Sequence, residues 1–455
     1  MRNAGVIWLL AVVELVVFLD TTVINVALPS IGADLGLDEA GLGWVVNSYL
    51  LAFGGFLLVG GRAADMFGAR RAFVAGLVLF TIASAVAGLA QTAWLLVAAR
   101  ALQGVGAAVV IPAQLALIAR TYSDPEDNRK AFGVWSAMGA AGAAIGTAAG
   151  GPLTEFLGWP SIFLINVPVG VVALALTGAV LSGDPPVRVV RLDVSGAVTA
   201  TAGLLLAGYA LGGLAEPGQS ALTWLLLGLA VVLLVVFVVL ERRLADDALV
   251  PLRLFRVREV SGSTAVNVLV GAAHVPVFAL LALYLQGSQG YGPTQAGLAV
   301  LPVALVNIAA SRTVIPAMVR RFGHAGTLAV GLALQAAAMG WLARLPEHVD
   351  YLVDVLPAAV LLGFGLPAAF VGVTAPAVNA VAESDRGVVG GVVNTAQRVG
   401  SGIGVAALLA LAGSVGGTVG LRVSFAASAG LAVLGCVLTL AVLRTPQREA
   451  GPVAR

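Results

Sequence analysis

A chain of 455 residues that is 59% hydrophobic and 11% charged, with mean hydropathy +1.00 and a formal net charge of +2, lies far outside the composition of a soluble globular domain. Its single cysteine, Cys436, excludes a disulfide framework, and His274, His324 and His348 together with that thiol form no familiar zinc site. The composition is that of a protein embedded in a lipid bilayer, and the near-neutral charge gives no reason to expect a nucleic-acid partner.

A membrane span needs about 20 mostly apolar residues. Such runs occur at 5-29, 42-61, 72-90, 94-119, 131-154, 160-182, 194-214, 221-240, 260-286, 295-318, 326-344, 351-379, 388-412 and 421-443, which predicts an all-α polytopic protein of fourteen helices. The first run is too long for a signal h-region, lacks a small-residue cleavage site and carries carboxylates, so it reads as a retained span.

An even number of spans puts both termini on one side. Of the 25 Lys and Arg residues, 20 fall in the termini and loops that this count groups together, from Arg2, Arg62, Arg70 and Arg71 through Arg120, Arg129, Lys130, Arg188, Arg191 and Arg242 to Arg444, Arg448 and Arg455. Only Arg344 and Arg422 fall in the opposite loops, while Arg100, Arg312 and Arg398 lie within spans. The positive-inside rule makes the basic side cytoplasmic.

The chain repeats itself weakly. The turn "GGRAADMFGARR" (60-71) after helix 2 and the turn "VRRFGHAG" (319-326) after helix 10 both set basic residues around a Phe-Gly, and helices 5 and 13 are both glycine-rich. The repeat predicts an N-terminal six-helix bundle (1-182), an insert of two helices with a cytoplasmic linker (183-259), and a C-terminal six-helix bundle with a short tail (260-455), the two bundles related by a pseudo-two-fold axis. Gly133, Gly139, Gly142, Gly146, Gly150 and Gly151 of helix 5, with Gly390, Gly391, Gly400, Gly402 and Gly404 of helix 13, have two readings: ordinary small-residue packing, or smooth contacts on which the bundles rock. The linker stretch "ERRLADDALVPLRLFRVRE" (241-259) reads as an amphipathic segment on the membrane surface or as a plain topogenic loop.

Of the 23 acidic residues, only Glu14 and Asp20 lie well inside spans; Glu155 and Asp354 sit near outer helix ends. A carboxylate at that depth costs about 3 kcal/mol even on lenient scales. Counting about 1.5 Å per residue, Asp20 and Arg100 share a depth, so an ion pair or a water-bridged pair is open to them, either as structural compensation or as a proton site. Glu14 lies about 120° around the helix from Asp20 and can face a central cavity, or be a protonated acid satisfied by a carbonyl.

Several motifs carry a family resemblance. "LDTTVINVALP" (19-29), "GRAADMFGARR" (61-71), "RALQGVGAA" (100-108) and "FLINVPVG" (163-170) resemble motifs of the fourteen-span drug:proton antiporters of the major facilitator superfamily. The loop motif departs at Ala63, Met66 and Ala69, and the helix 5 motif "GTAAGGP" has Thr147 where a proline usually stands, with Pro152 following the glycine pair.

The resemblance implies a proton-coupled exporter of amphipathic small molecules, drugs or secondary metabolites, working by alternating access in the cell membrane as a monomer. Asp20 would be the proton carrier paired with Arg100, and Glu14 a second acid. Gly61, Asp65, Gly68, Arg70 and Arg71 would latch the inner ends of the halves in the outward-facing state, with Asp65 near the N-terminal end of helix 11, or serve only as a topogenic turn. Gln103 and Gly104 in helix 4, with Gly146, Gly150 and Gly151 in helix 5, complete the motif set. The cavity would be lined by Asn25, Asn47, Tyr49, Trp135, Asn166, Asn267, Tyr284, Asn307, Asn394 and Arg398.

The expected partners are the amphipathic substrate and the lipid bilayer. No cofactor is expected beyond the proton as coupling ion. There is no GxxxxGK[ST] loop for ATP, and the single lysine, Lys130, follows an arginine. No convergent Ser/His/Asp, Cys/His or metal set supports an enzyme. A lipid or metabolite carrier of the same fold and a non-transporting membrane sensor stay open as alternatives.

Overall fold

In a bilayer every backbone polar group must be satisfied within its own segment, and the described residues meet this with helices. The computed structural model describes residues 2-122, 124-184, 194-213, 221-244, 252-382 and 385-443, and every regular element among them is helical. Arg188, Arg191, Arg444, Arg448 and Arg455 lie outside the described residues. The first half comprises α1 (Arg2–Leu35), α2 (Glu39–Phe67), α3 (Ala69–Gly88), α4 (Ala93–Thr121), α5 (Pro125–Leu157), α6 (Ser161–Leu164) and α7 (Asn166–Val180). The insert is α8 (Val194–Gly213) and α9 (Ala221–Leu244); the second half is α10 (Arg258–Leu283), α11 (Pro293–Arg312), α12 (Val314–Leu342), α13 (Leu356–Asn379), α14 (Arg386–Val415) and α15 (Gly417–Val442).

Twelve of the described helices are long and apolar enough to span a bilayer. A thirteenth is α2 if its segments Gly41–Leu57 and Val59–Phe67, bent by 49°, count as one; the described apolar part of α8, Val198–Ala210, is shorter. Two expected spans are interrupted. The run 160-182 breaks at Ile165 into α6 and α7, where Pro168 has no N–H to offer the Leu164 carbonyl. The run 295-318 breaks at Thr313, and its last turns run on as the start of α12 up to a non-helical Gly323.

The repeat is visible in the turns. Left-handed glycines stand at equivalent places in the two halves: Gly36 (φ 65°) with Gly290 (φ 69°), Gly68 (φ 95°) with Gly323 (φ 68°), and Gly158 (φ 78°) with Gly416 (φ 77°). Only glycine adopts these angles without strain, so both Phe-Gly turns seen in the sequence are required by backbone geometry.

The glycine stripes pack chiefly inside each half. A Cβ on Gly142 or Gly146 of α5 would run into the α1 backbone at Leu15 and Leu19, and one on Gly150 would press on Val23; Gly400 and Gly404 of α14 stand in the same way against Val268 and Ala272 of α10. This corrects the idea that the stripes form the sliding surface between bundles. Gly151, against Pro293 and Thr294 of α11, and Gly402, against Leu51 of α2, are the members that meet the other half. The halves also join where Glu155 Oε2 accepts the Thr294 N–H at 3.0 Å and where Gln286 donates to the Val26 carbonyl at 2.8 Å. These contacts lie toward the end of the molecule that carries the Gly158 and Gly290 turns.

The insert covers the α2/α14 seam. Thr201 of α8 donates to the Gly55 carbonyl of α2 at 3.1 Å, and Leu51 of α2 fills the space beside both Gly208 of α8 and Gly402 of α14. One face of α9 is exposed along Trp224, Leu225, Val231, Val232 and Val235, as a lipid-facing helix would be. It runs past its expected end, so that Glu241, assigned to the linker by sequence, is buried. The described part of the linker, Leu252–Arg256, is a short 3-10 turn docked on the second half. Leu254 is buried beside Val260, Ala377, Val389 and Val393, and Arg253 forms two hydrogen bonds to Asp385 at 2.9 and 3.0 Å.

Candidate functional site

Side chains of four helices of the first half, α1, α3, α4 and α7, meet around Asp20. Its Oδ2 accepts from Arg100 Nη1 at 2.6 Å; its Oδ1 accepts from Gln103 Nε2 at 3.1 Å and from Asn166 Nδ2 at 2.8 Å. Ser84 Oγ accepts from Gln103 at 2.8 Å and donates to the Phe80 carbonyl at 2.7 Å. All five side chains are at most 1% exposed. The i, i+3 spacing puts Arg100 and Gln103 on one face of α4, and the break at Ile165 delivers Asn166 as the first residue of α7.

Arg100 has partners besides Asp20. Its Nε donates to the Val45 carbonyl at 3.2 Å, its Nη1 also reaches Gln103 Oε1 at 3.1 Å, and its guanidinium lies 4.4 Å from the Tyr49 ring centre. Gly104 lets this geometry exist, since a Cβ there would enter the α2 backbone at Tyr49. Sequence reasoning missed Ser84, and it named Gln103 and Asn166 without their role as donors to Asp20. The i, i+3 relation to Arg100 was the signal for Gln103; nothing in the sequence pointed to Ser84.

A second charged pair lies between the halves. Glu14 is buried with Oε2 unpartnered, and Arg398 of α14 reaches the first half with its guanidinium 4.5 Å from the Phe53 ring centre and 5.9 Å from Phe18. Tyr49 and Phe53 stack edge to face at 5.8 Å, so one guanidinium from each half rests on each ring of the pair. Trp135 donates to Gln114 at 2.9 Å, and Gln114 in turn to the Leu10 carbonyl at 3.1 Å.

The remaining expected cavity residues divide. Asn25 donates to the Thr22 carbonyl, and Asn47 is buried; the Oδ1 atoms of Asn25, Asn47 and Asn394 are unpartnered. Asn307 accepts from Ser311 one turn along α11. Asn267 donates to the Val393 carbonyl at 2.7 Å, tying α10 to α14, and Tyr284 donates to the Pro346 carbonyl at 2.6 Å near a helix end. For these last two a packing role is the simpler account.

The loop set Gly61, Asp65, Gly68, Arg70 and Arg71 finds its partner within the first half in this structure. Among the described residues Asp65 makes no hydrogen bond or ion pair to the second half, and the charge acting on it is that of Arg62. The anion at this helix end is Asp184, which sequence reasoning passed over. It accepts the Arg70 N–H at 2.9 Å, the Arg71 N–H at 3.0 Å and Arg120 Nη1 at 3.0 Å, capping α3 at its positive end. Gly68 has no room for a Cβ beside it.

Burial pulls the Asp184 carboxyl up, but the Arg70 and Arg71 amides and the Arg120 guanidinium outweigh it and hold it below the usual carboxylate range. A folded value below the unfolded one means that the clamp stabilises the protein above about pH 4, and that this contribution disappears as pH falls through the depressed value. Asp184→Ala is therefore expected to lower the melting temperature near pH 7, by the equivalent of a lost cap or about 1 kcal/mol, with the gap to wild type closing in strong acid. Melting curves of the detergent-purified protein check this, and a gap independent of pH would sink the electrostatic account.

The arrangement is that of a polytopic membrane protein with two six-helix halves, a closed polar network inside one and opposed charges between them. Residues 10-405 match the family description Major Facilitator Superfamily. The chain is 40% identical over 436 residues to the cephamycin export protein CmcT of Amycolatopsis lactamdurans, covering 94% of this chain and 89% of that protein. It is 41% identical over 411 residues to the puromycin resistance protein pur8 of Streptomyces alboniger, covering 89% and 80%. The fold is similar to that of the POT family transporter PepTSo, with TM-score 0.71 at 16% identity over 97% of this chain and 98% of that one. It is also similar to a bacterial homologue of the human lysosomal transporter Spinster in an inward-facing, unoccupied conformation, with TM-score 0.70 at 16% identity over 97% of each. The chain belongs to the major facilitator superfamily and is a multi-pass cell-membrane protein.

Proposed function

We propose that the protein is a proton-driven exporter of amphipathic drugs or secondary metabolites, crossing the membrane fourteen times with both termini in the cytoplasm and acting as a monomer without ATP. The observation that carries the coupling is the Asp20 network, a carboxylate buried in an apolar bundle and held by three donors, two from α4 and one from α7. An apolar cluster of equal volume would be as stable or more so, which favours use over mere structure. The cargo class rests on the relatives, whose names speak of antibiotic export and resistance.

The network suggests how a proton is handled. When Asp20 takes up a proton, Arg100 keeps the Val45 carbonyl, the Gln103 amide oxygen and the Tyr49 ring, so the cation is not stranded. Release of the proton restores the ion pair. With the basic loops inside, the joined end of the halves is the outer one, and this arrangement is the inward-facing member of the cycle. Proteoliposomes with an imposed pH gradient test the reading: uphill movement of an amphipathic dye such as ethidium is expected, and dye that only equilibrates would overturn it.

A further inference from the structure

Glu14 and Arg398 present an electrostatic situation that the proton network does not use. Glu14 sits on α1 of the first half and Arg398 on α14 of the second. Neither enters a hydrogen bond or ion pair among the described residues, and both leave a buried polar atom without a partner, Oε2 of Glu14 and Nε of Arg398. Each charge acts on the other, yet they are not within ion-pair distance. Buried charges are ordinarily paired, so a matched but untouching pair leaves a demand that a ligand received between the halves can meet.

The surroundings do not fill the need. Gln114 spends its amide on the Leu10 carbonyl and the Trp135 N–H. His274 Nδ1 lies 2.6 Å from the Val270 carbonyl on its own helix. Arg100 is committed to Asp20, and the Tyr49 hydroxyl lies 3.5 Å from Thr21. The other ionisable groups within electrical reach are thus Tyr49 and His274, both of which feel Arg398. The walls are aromatic, with Phe18 and Phe53 flanking the guanidinium, and Gly139 of α5 lets that helix pack close against Glu14 and Phe18.

We propose that this junction of the halves is the substrate site and that it takes an amphipathic zwitterion: a small molecule with an apolar ring system, a cationic amine received by Glu14 and an anionic group, such as a carboxylate, received by Arg398. The inference rests on the exporter reading above and specifies its cargo. A lone cation would satisfy Glu14 and leave Arg398 bare, a lone anion the reverse, and a neutral molecule neither, so the two-charge ligand is the one that meets both desolvated groups. One charge comes from each half. Such a ligand ties the halves together at the point where they must pass one another, and a singly charged competitor does not.

A matched set of probes on one scaffold tests this: 2-naphthylalanine as the zwitterion, its methyl ester as the cation, its N-acetyl derivative as the anion, and the doubly capped form as the neutral control. Binding to the full-length purified protein is read by thermal shift and by displacement. The zwitterion is expected to bind about tenfold or more tighter than either singly charged form. Glu14→Gln should bring it level with the anion, Arg398→Gln level with the cation, and Arg398→Lys should keep part of the preference.

Equal binding of cation and zwitterion to the wild type, or no shift with any of the four, overturns the proposal. So does loss of all binding alike in both variants, which would make the pair a lock between the halves. Uptake of each of the four probes driven by the pH gradient is measured on the same preparations. If it persists while the zwitterion preference is absent, the cargo assignment fails and the exporter reading stands; if it is absent in the wild type, the exporter reading itself has failed.

Discussion

Asp20→Asn is expected to abolish gradient-driven transport of every substrate while leaving downhill exchange in place. The side chain keeps its shape but loses its charge, and whichever way the new amide turns, its NH2 faces a donor, either Arg100 Nη1 or the amides of Gln103 and Asn166. An uncompensated buried cation costs about 3 to 5 kcal/mol, although here the Val45 carbonyl and Gln103 retain part of the guanidinium's partners. Lower expression and an earlier melting transition are therefore expected alongside the loss of coupling. The double change Asp20→Asn with Arg100→Gln removes both charges and should recover the melting temperature without recovering uphill flux. Proton-driven transport in that double variant, measured in proteoliposomes, would show the pair to be structural and move the proton site elsewhere.

Gly142→Val should be close to a loss of fold. A Cβ at Gly142 has the Leu15 carbonyl in its path, and backbone cannot step aside as a flexible side chain can. The helices would have to separate along the α1/α5 contact, with overpacking costs of about 1 to 3 kcal/mol or more and a shift of Glu14, one residue before Leu15. Gly133, on the same helix with nothing within 4 Å of its would-be Cβ, supplies the control. There Gly→Ala should be neutral or slightly stabilising, since alanine is the better helix former by about 1 kcal/mol. Fluorescence size-exclusion and melting of the two variants separate these outcomes, and equal behaviour would contradict the close packing of α1 on α5.

How legible the site was depends on which residues are considered. Asp20 and Arg100 could be matched because helical rise fixes depth and a buried charge is rare enough to stand out. Asp184 could not, because in sequence it is an ordinary loop carboxylate 114 residues from the Arg70 amide it accepts from. Asn267 and Tyr284 look like cavity polars in a hydropathy reading. They turn out to bond backbone carbonyls of neighbouring segments, a distinction that rests on which way a helix is rotated. The glycine stripes were visible as stripes, but whether a stripe faces its own half or the other one is a property of packing, and most of these faced inward.

The sequence by itself determined a helical membrane protein with a doubled plan. Apolar runs of span length, the sidedness of arginines and the paired Phe-Gly turns each follow from local physics: the cost of unsatisfied backbone in lipid, of moving cations across it, and of left-handed turns without glycine. Only the tertiary structure decided that Asp20 takes three donors at once, that α8 sits on the α2/α14 seam, that Asp184 caps α3, and that Glu14 and Arg398 confront each other without touching. Those facts depend on helix rotation and inter-helix distance. Side chains set them over separations of 80 residues and more, which no local pattern encodes.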